Sequence, residues 1–106
     1  MFSAGGDVTS FRAAGEDIPA LLKRITLGLH VAISRLARMD APVVMAVGGT
    51  AAGGGMSLAC AGDIVVASED AKFTMAYTRI GLIPDGGSTF FLPRRIGLAR
   101  ARDCAA

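Results

Sequence analysis

The chain has 106 residues, of which 52% are hydrophobic, and its net charge at pH 7 is only +2. A chain of this length is expected to form one domain. Its basic residues are scattered and lack interleaved aromatic residues, so we expect no nucleic-acid partner. Two cysteines, Cys60 and Cys104, are too few for a metal or disulfide framework. They favour free, buried thiols in a reducing compartment, and we expect a cytoplasmic protein.

The first third of the chain holds a glycine turn and one long helical pattern. After the turn at Gly5 and Gly6, the polar segment TSFRAAGEDIP is expected to form a loop. Over residues 20–39 apolar side chains recur three or four positions apart, which predicts an amphipathic helix. The only histidine, His30, lies in this helix and is interpreted as a partly exposed surface residue. The apolar stripe comprises Ile18, Leu22, Ile25, Leu29, Ile33 and Leu36.

Two short segments in the middle of the chain, the uncharged APVVMAV and DIVVAS, whose only charged residue is its first, are rich in β-branched residues. They are predicted to be strands buried on both faces. The uncharged run between Asp40 and Asp63 is long enough to cross a bilayer, but it is rich in glycine. We therefore interpret it as a strand and a loop, and expect no membrane association. With a short helix in MSLACAG and a weaker strand in AKFTMAY, this order predicts an α/β fold with parallel pairing.

The last third begins with turn residues at Pro84–Gly87 and continues as two helices. IPDGGSTFFLPRRIG is predicted to form the turn and a short helix, and LARARDCAA a further helix.

The glycines from Gly53 to Gly55 precede the predicted short helix. The first N–H groups of a helix have no internal partner, and the helix dipole adds partial positive charge there. An oxyanion would suit this position, whereas a phosphate loop would require Lys and Ser or Thr after its last glycine. Tight packing of the backbone explains the glycines equally well. The turn SAGGD offers a second exposed N–H at Gly6, and two such donors would form an oxyanion hole.

Three segments, taken together, resemble a known family. FSAGGDV, APVVMAVGGTAAGGGMSLACAGDIVVASEDAKF and IGLIPDGGSTFFLPRRIG are similar in order and spacing to signature segments of the crotonase family, the enoyl-CoA hydratase/isomerase group. The resemblance covers nearly the whole chain. It implies a spiral of ββα units, of which residues 1–106 would be the central part, without the N-terminal strands and C-terminal helices. It also implies an acyl-CoA substrate, no cofactor beyond the coenzyme A of that substrate, no metal, and a homotrimer or hexamer.

The resemblance also implies a site. Its oxyanion donors would be the N–H groups of Gly6 and Gly54, which would hold a thioester enolate. Coenzyme A and the acyl group would lie against the remaining residues, namely Ser3, Ala4, Asp7, Gly53 and Tyr77.

The catalytic positions depart from those of the hydratases. Hydratases of this family use two glutamates, and their positions here hold Ser57 and Tyr77, neither of which can act as a carboxylate base. Isomerases of the family carry one acid in the turn after IGLIP, and Asp85 occupies that position. Apolar neighbours such as Ile83, Phe90 and Phe91 are expected to surround it. A turn residue or helix N-cap is the alternative interpretation of Asp85.

Three functions therefore stay open. The first is an acyl-CoA isomerase that uses Asp85, and it is the function we predict. The second is a non-catalytic acyl-CoA binder, and the third is a serine hydrolase of the same superfold that uses Ser57.

Overall fold

The computed structural model describes residues 1–106 as five helices and four short strands. Asp7 caps the first helix through its side chain, and Pro19 lies in the first turn of the second, where its missing N–H costs no hydrogen bond. The helices are α1 (Val8–Ala14), α2 (Ile18–Arg38), α3 (Gly54–Cys60), α4 (Ser88–Ile96) and α5 (Leu98–Ala105). The strands are β1 (Val44–Val47), β2 (Ala51–Ala52), β3 (Ile64–Ala67) and β4 (Phe73–Thr74).

The strands repeat one arrangement twice. β1 and β2 lead into α3, and β3 and β4 lead, through a turn, into α4. The two units stack in parallel, since β1 pairs with β3 from Val44↔Ile64 to Val47↔Ala67, and β2 pairs with β4 at Ala51↔Phe73 and Ala52↔Thr74. This arrangement is a spiral of ββα units and confirms the predicted fold class.

The core surrounds α3, whose small residues let other elements approach closely. Ala59 is fully buried, and Met56 and Cys60 are buried on the same helix. They pack with side chains from both strand pairs and from α4 and α5; the other members are Val47, Ala51, Met75, Tyr77, Leu92 and Ala101. Most of the helix that follows the glycine loop is therefore buried.

The N-terminal segment differs from the predicted loop. Residues 8–14 form α1 and residues 15–17 a 3-10 turn, directly before α2. The carboxylate of Asp7 accepts hydrogen bonds from Thr9 N at 3.0 Å and from Ser10 Oγ at 2.6 Å. This side-chain cap starts a short polar helix that has too little apolar periodicity to be recognised.

The strands also differ from the prediction of burial on both faces. Val44, Ile64 and Val66 are 57%, 54% and 59% exposed, and they lie on one face of the β1–β3 pair. Val47, on the opposite face, is buried. The prediction was wrong for the first face because nothing in this chain covers it.

The two cysteines form no disulfide. Cys60 and Cys104 are both free, but only Cys60 is buried, so the prediction of buried thiols was wrong for Cys104. Burial raises the pKa of the Cys60 thiol.

None of the helices combines the length and the apolar character needed to cross a lipid bilayer.

Candidate active site

A cavity of about 330 Å³ lies where the N-terminal turn, α2 and the glycine loop meet. We call it the glycine cavity. One wall consists of apolar side chains of α1 and α2, including Phe11, Leu22, Ile25 and Leu29. The rest of the lining includes the glycines Gly5, Gly6, Gly53 and Gly54, the polar side chains of Tyr77 and Asp85, and further apolar residues such as Ile80 and Leu82. Leu22, Ile25 and Leu29 of the helical stripe predicted from the sequence therefore line a cavity.

Two backbone N–H groups in this cavity have no partner in the protein. Neither Gly6 N nor Gly54 N donates a hydrogen bond to any backbone or side-chain acceptor. The two turns touch, since a Cβ built on Gly5 would lie only 3.1 Å from Gly54 N. Gly54 is also the first residue of α3, so its N–H points out of the helix end. The predicted oxyanion donors thus line one cavity.

Close backbone contact explains why Gly55 is needed. A Cβ built on Gly55 would lie 2.5 Å from Ser3 Cβ and 2.6 Å from Ser3 O. Ser3 is itself held against β2, because Ala52 N donates to Ser3 O at 2.9 Å. Its hydroxyl accepts from Gly5 N at 3.2 Å. Gly55 therefore lets the N-terminal turn lie directly on the start of α3.

Asp85 is paired with a histidine from another element. Asp85 Oδ2 lies 3.1 Å from His30 Nε2, and Gly86 N donates to the same nitrogen at 3.3 Å. The Asp85 side chain is 28% exposed and that of His30 47%. Asp85 lines the glycine cavity and also a groove of about 640 Å³ between α2 and α4. The Asp85 carboxylate therefore lies between the glycine cavity and this groove, and His30 lines the groove.

Ser57 and Tyr77 bond to each other beside the cavity. Their hydroxyl oxygens lie 2.7 Å apart, and Ser57 Oγ also reaches Gly53 O at 3.4 Å. Burial raises the pKa of the Tyr77 hydroxyl far above its ordinary value. The bond to Ser57 lowers this pKa, and the Asp85 carboxylate raises it. Both hydroxyls therefore stay protonated near neutral pH.

Comparison with known proteins identifies the family of this chain. The family model described as enoyl-CoA hydratase/isomerase matches residues 1–106. The chain belongs to the enoyl-CoA hydratase/isomerase family. Its resemblance to crotonases, read from the sequence, is confirmed.

Relatives within the family carry different activities in their names. Over 73 residues, or 69% of this chain and 28% of the relative, it is 53% identical to 1,2-epoxyphenylacetyl-CoA isomerase of Escherichia coli K12. Over 104 residues, or 98% of this chain and 39% of the relative, it is 42% identical to a probable enoyl-CoA hydratase of Rhodobacter capsulatus. The chain thus spans about two fifths or less of these relatives.

A solved family structure has the same fold. The crystal structure of an enoyl-CoA hydratase from Polaromonas sp. JS666 superimposes with a TM-score of 0.87 and 39% identity. The match covers 96% of this chain and 40% of that one.

Several predicted site residues lie in the cavity and others support it from outside. Ala4, Gly6, Gly53, Gly54, Tyr77 and Asp85 line it. Ser3 and Asp7 do not; Ser3 shapes the turn, and Asp7 caps α1. Of the apolar neighbours expected around Asp85, Ile83 is 84% exposed and cannot shield the carboxylate.

The serine hydrolase hypothesis disagrees with the structure. Ser57 is fully buried, and its hydroxyl bonds to a phenol and a carbonyl rather than to an imidazole. A nucleophilic serine needs an adjacent base and access to the substrate, and Ser57 has neither.

Sequence interpretation missed the contact of His30 with Asp85 and Gly86. His30 is partly exposed, as expected, but its ring bonds to the proposed catalytic turn. The available signal was weak, since His30 lies only three residues before Ile33 on the helix face that packs against the turn.

Proposed function

We propose that the whole protein containing these residues binds an acyl-CoA thioester and moves a carbon–carbon double bond within its acyl group. One observation carries the proposal. The carboxylate of Asp85 lines the same cavity as the two unpartnered N–H groups of Gly6 and Gly54. A base and an oxyanion hole facing one space are what enolate chemistry requires.

The thioester oxygen would accept hydrogen bonds from Gly6 N and Gly54 N. Asp85 would then take a proton from a carbon next to the double bond, and the electron pair of that C–H bond would move into the conjugated enolate. Return of a proton to another carbon would regenerate both the thioester carbonyl and the carboxylate. The N–H groups act most strongly on the charged enolate, so they lower the barrier more than they strengthen substrate binding.

Hydration is the less well supported reaction. Hydratases are expected to need carboxylates where this chain has Ser57 and Tyr77. The two hydroxyls bond to each other in the buried wall, and the raised pKa of Tyr77 prevents it from acting as a base. No other carboxylate lines the glycine cavity.

Two further expectations accompany this proposal. The protein would need no cofactor, because coenzyme A arrives with the substrate. It would assemble as a homotrimer or hexamer, and the exposed apolar face of β1 and β3 supports further packing partners for this chain.

Replacement of Asp85 by Asn tests the function. The substrate is 3-hexenoyl-CoA, whose conversion to the conjugated 2-enoyl isomer is followed by absorbance and NMR. We expect Asp85→Asn to reduce turnover by about two to four orders of magnitude, with acyl-CoA binding retained.

Two results would contradict the proposal. Binding without isomerisation by the wild-type protein would identify a non-catalytic acyl-CoA binder. Efficient hydration of a 2-enoyl-CoA that survives Asp85→Asn would identify a hydratase with another base.

A further inference from the structure

His30 Nε2 has contacts with two groups that compete for a single position. A ring nitrogen in the imidazole plane carries either one lone pair or one proton. Gly86 N–H is a backbone donor with a fixed direction, and it donates to Nε2 at 3.3 Å. In the tautomer that accepts this bond, Nε2 is bare and the imidazole proton is on Nδ1.

The contact with Asp85 then depends on a proton. Oδ2 of Asp85 lies 3.1 Å from the same bare nitrogen, and two lone pairs at that distance would repel. The contact becomes attractive when one proton lies between the two atoms, on either Oδ2 or Nε2. The 3.1 Å separation therefore allows a proton to pass directly between Asp85 and His30.

The His30 side chain is also open to solvent. The His30 side chain is 47% exposed and lines the groove between α2 and α4 rather than the glycine cavity. Asp85 alone lines both spaces. Proton transfer from the substrate to the groove can thus pass through Asp85 and His30 in turn.

We propose that His30 carries the migrating proton between Asp85 and water, an inference that rests on the proposed isomerisation. Asp85 Oδ2 gives its proton to Nε2, while Nδ1 releases its own proton to water. The reverse sequence brings a proton from water to Nδ1, moves one from Nε2 to Oδ2, and delivers it to the product carbon. Carboxylate and imidazole end in the states in which they began, and no redox partner is needed.

The proposal predicts that hydrogen from the solvent enters the product. When 3-hexenoyl-CoA is isomerised in D₂O, early product should contain carbon-bound deuterium, measured by mass spectrometry and NMR. In His30→Gln the amide can still hold the carboxyl group but cannot pass a proton through a ring. We expect its deuterium content per turnover to fall at least about tenfold while isomerisation continues.

A matched control uses the same groove. Ser34 lies one helical turn after His30 and also lines the groove, yet it forms no hydrogen bond with Asp85. Ser34→Ala should incorporate as much deuterium as the wild-type protein. Both variants should unfold at the same urea concentration as the wild type.

The outcomes separate this inference from the proposed function. A wild-type protein that isomerises nothing contradicts both. Isomerisation without deuterium uptake, or equal uptake in His30→Gln, overturns only the role of His30, since direct exchange at Asp85 would then account for the result. If the Gln variant does not fold, the ¹⁵N spectrum of the wild-type imidazole decides: a proton on Nδ1 supports the proposal, and a proton on Nε2 overturns it.

Discussion

The hydroxyl oxygens of Ser57 and Tyr77 lie 2.7 Å apart in the buried wall of the glycine cavity. They stand where hydratases of the family are expected to hold glutamates, and they bond to each other instead. Ala76, just before Tyr77, has a φ of 54°, which is unusual for a residue other than glycine. The Tyr77 side chain therefore follows a residue with a strained backbone, Ala76, and forms a buried hydrogen bond with Ser57.

The Ser57–Tyr77 bond should stabilise the fold without contributing to the reaction. Tyr77→Phe leaves Ser57 Oγ with only the weak bond to Gly53 O, so we expect a loss of about 1–2 kcal/mol in the free energy of unfolding. Ser57→Ala should cost a similar amount, and the double variant less than the sum of both. Urea unfolding of all four proteins gives the coupling energy, and strictly additive losses would show that the two hydroxyls do not interact.

The N–H of Gly54 should be required for turnover. Gly54→Pro removes this donor at the first position of a helix, where proline is well tolerated. We expect turnover of 3-hexenoyl-CoA to fall by about two to three orders of magnitude. Gly54→Ala is the matched control, because it keeps the N–H and the atoms nearest to its Cβ, Leu29 Cδ2, Gly5 Cα and Tyr77 Oη, would lie at the ordinary contact distances of 3.4–3.9 Å. Equal activity of the two variants would argue against an oxyanion hole at Gly54.

Gly55 should tolerate no side chain. In Gly55→Ala the Cβ would lie 2.6 Å from the backbone oxygen of Ser3, so the N-terminal turn must move away from α3. We expect a loss of about 1–3 kcal/mol in stability, together with reduced turnover. Gly28→Ala is the control, since nothing lies within 4 Å of its new Cβ and the residue is inside α2. Gly28→Ala should gain about 0.5–1 kcal/mol in the free energy of unfolding. A stabilised Gly55→Ala together with a destabilised Gly28→Ala would contradict the packing argument.

The cap of α1 should depend on pH. The hydrogen bond from the Ser10 side chain is the largest of the effects that lower the pKa of Asp7 below its ordinary value of 3.8, and the hydrogen bond from the Ser10 backbone is the next largest. Because the pKa of Asp7 is lower in the folded state than in the unfolded state, its carboxylate stabilises α1 at any pH above the unfolded-state pKa. This stabilisation is lost as the pH falls through the folded-state pKa. NMR titration should therefore show α1 fraying only in strongly acidic solution. Ser10→Ala should raise the Asp7 pKa toward 3.8, and an unchanged titration would show that Ser10 does not support the cap.

The 106 residues expressed by themselves should associate or pack loosely. Val44, Ile64 and Val66 form an exposed apolar face on the β1–β3 pair, which also has unpaired edges. We expect concentration-dependent light scattering, a broad urea transition and weak binding of acetyl-CoA. A monomer with a sharp cooperative transition and micromolar binding would contradict this expectation.

Local patterns in the sequence determined most of the architecture. The apolar period over residues 20–39 identified α2, observed at Ile18–Arg38, and the β-branched segments identified β1 and β3. The prediction of α2 succeeds because helical periodicity reflects the face that the helix buries, and those of β1 and β3 succeed because β-branched residues favour strands. Helix α1 escaped recognition because a side-chain cap at Asp7, rather than an apolar stripe, starts it.

The site depended on contacts that no local pattern encodes. His30 and Asp85 are 55 residues apart in sequence and meet only because α2 packs beside the turn before α4. Gly6 and Gly54 likewise line one cavity because the N-terminal turn lies on the start of α3. The glycines and the aspartate were therefore visible as candidates in the sequence. Only the tertiary structure decided that they line one cavity, that Ser57 is buried, and that His30 contacts Asp85.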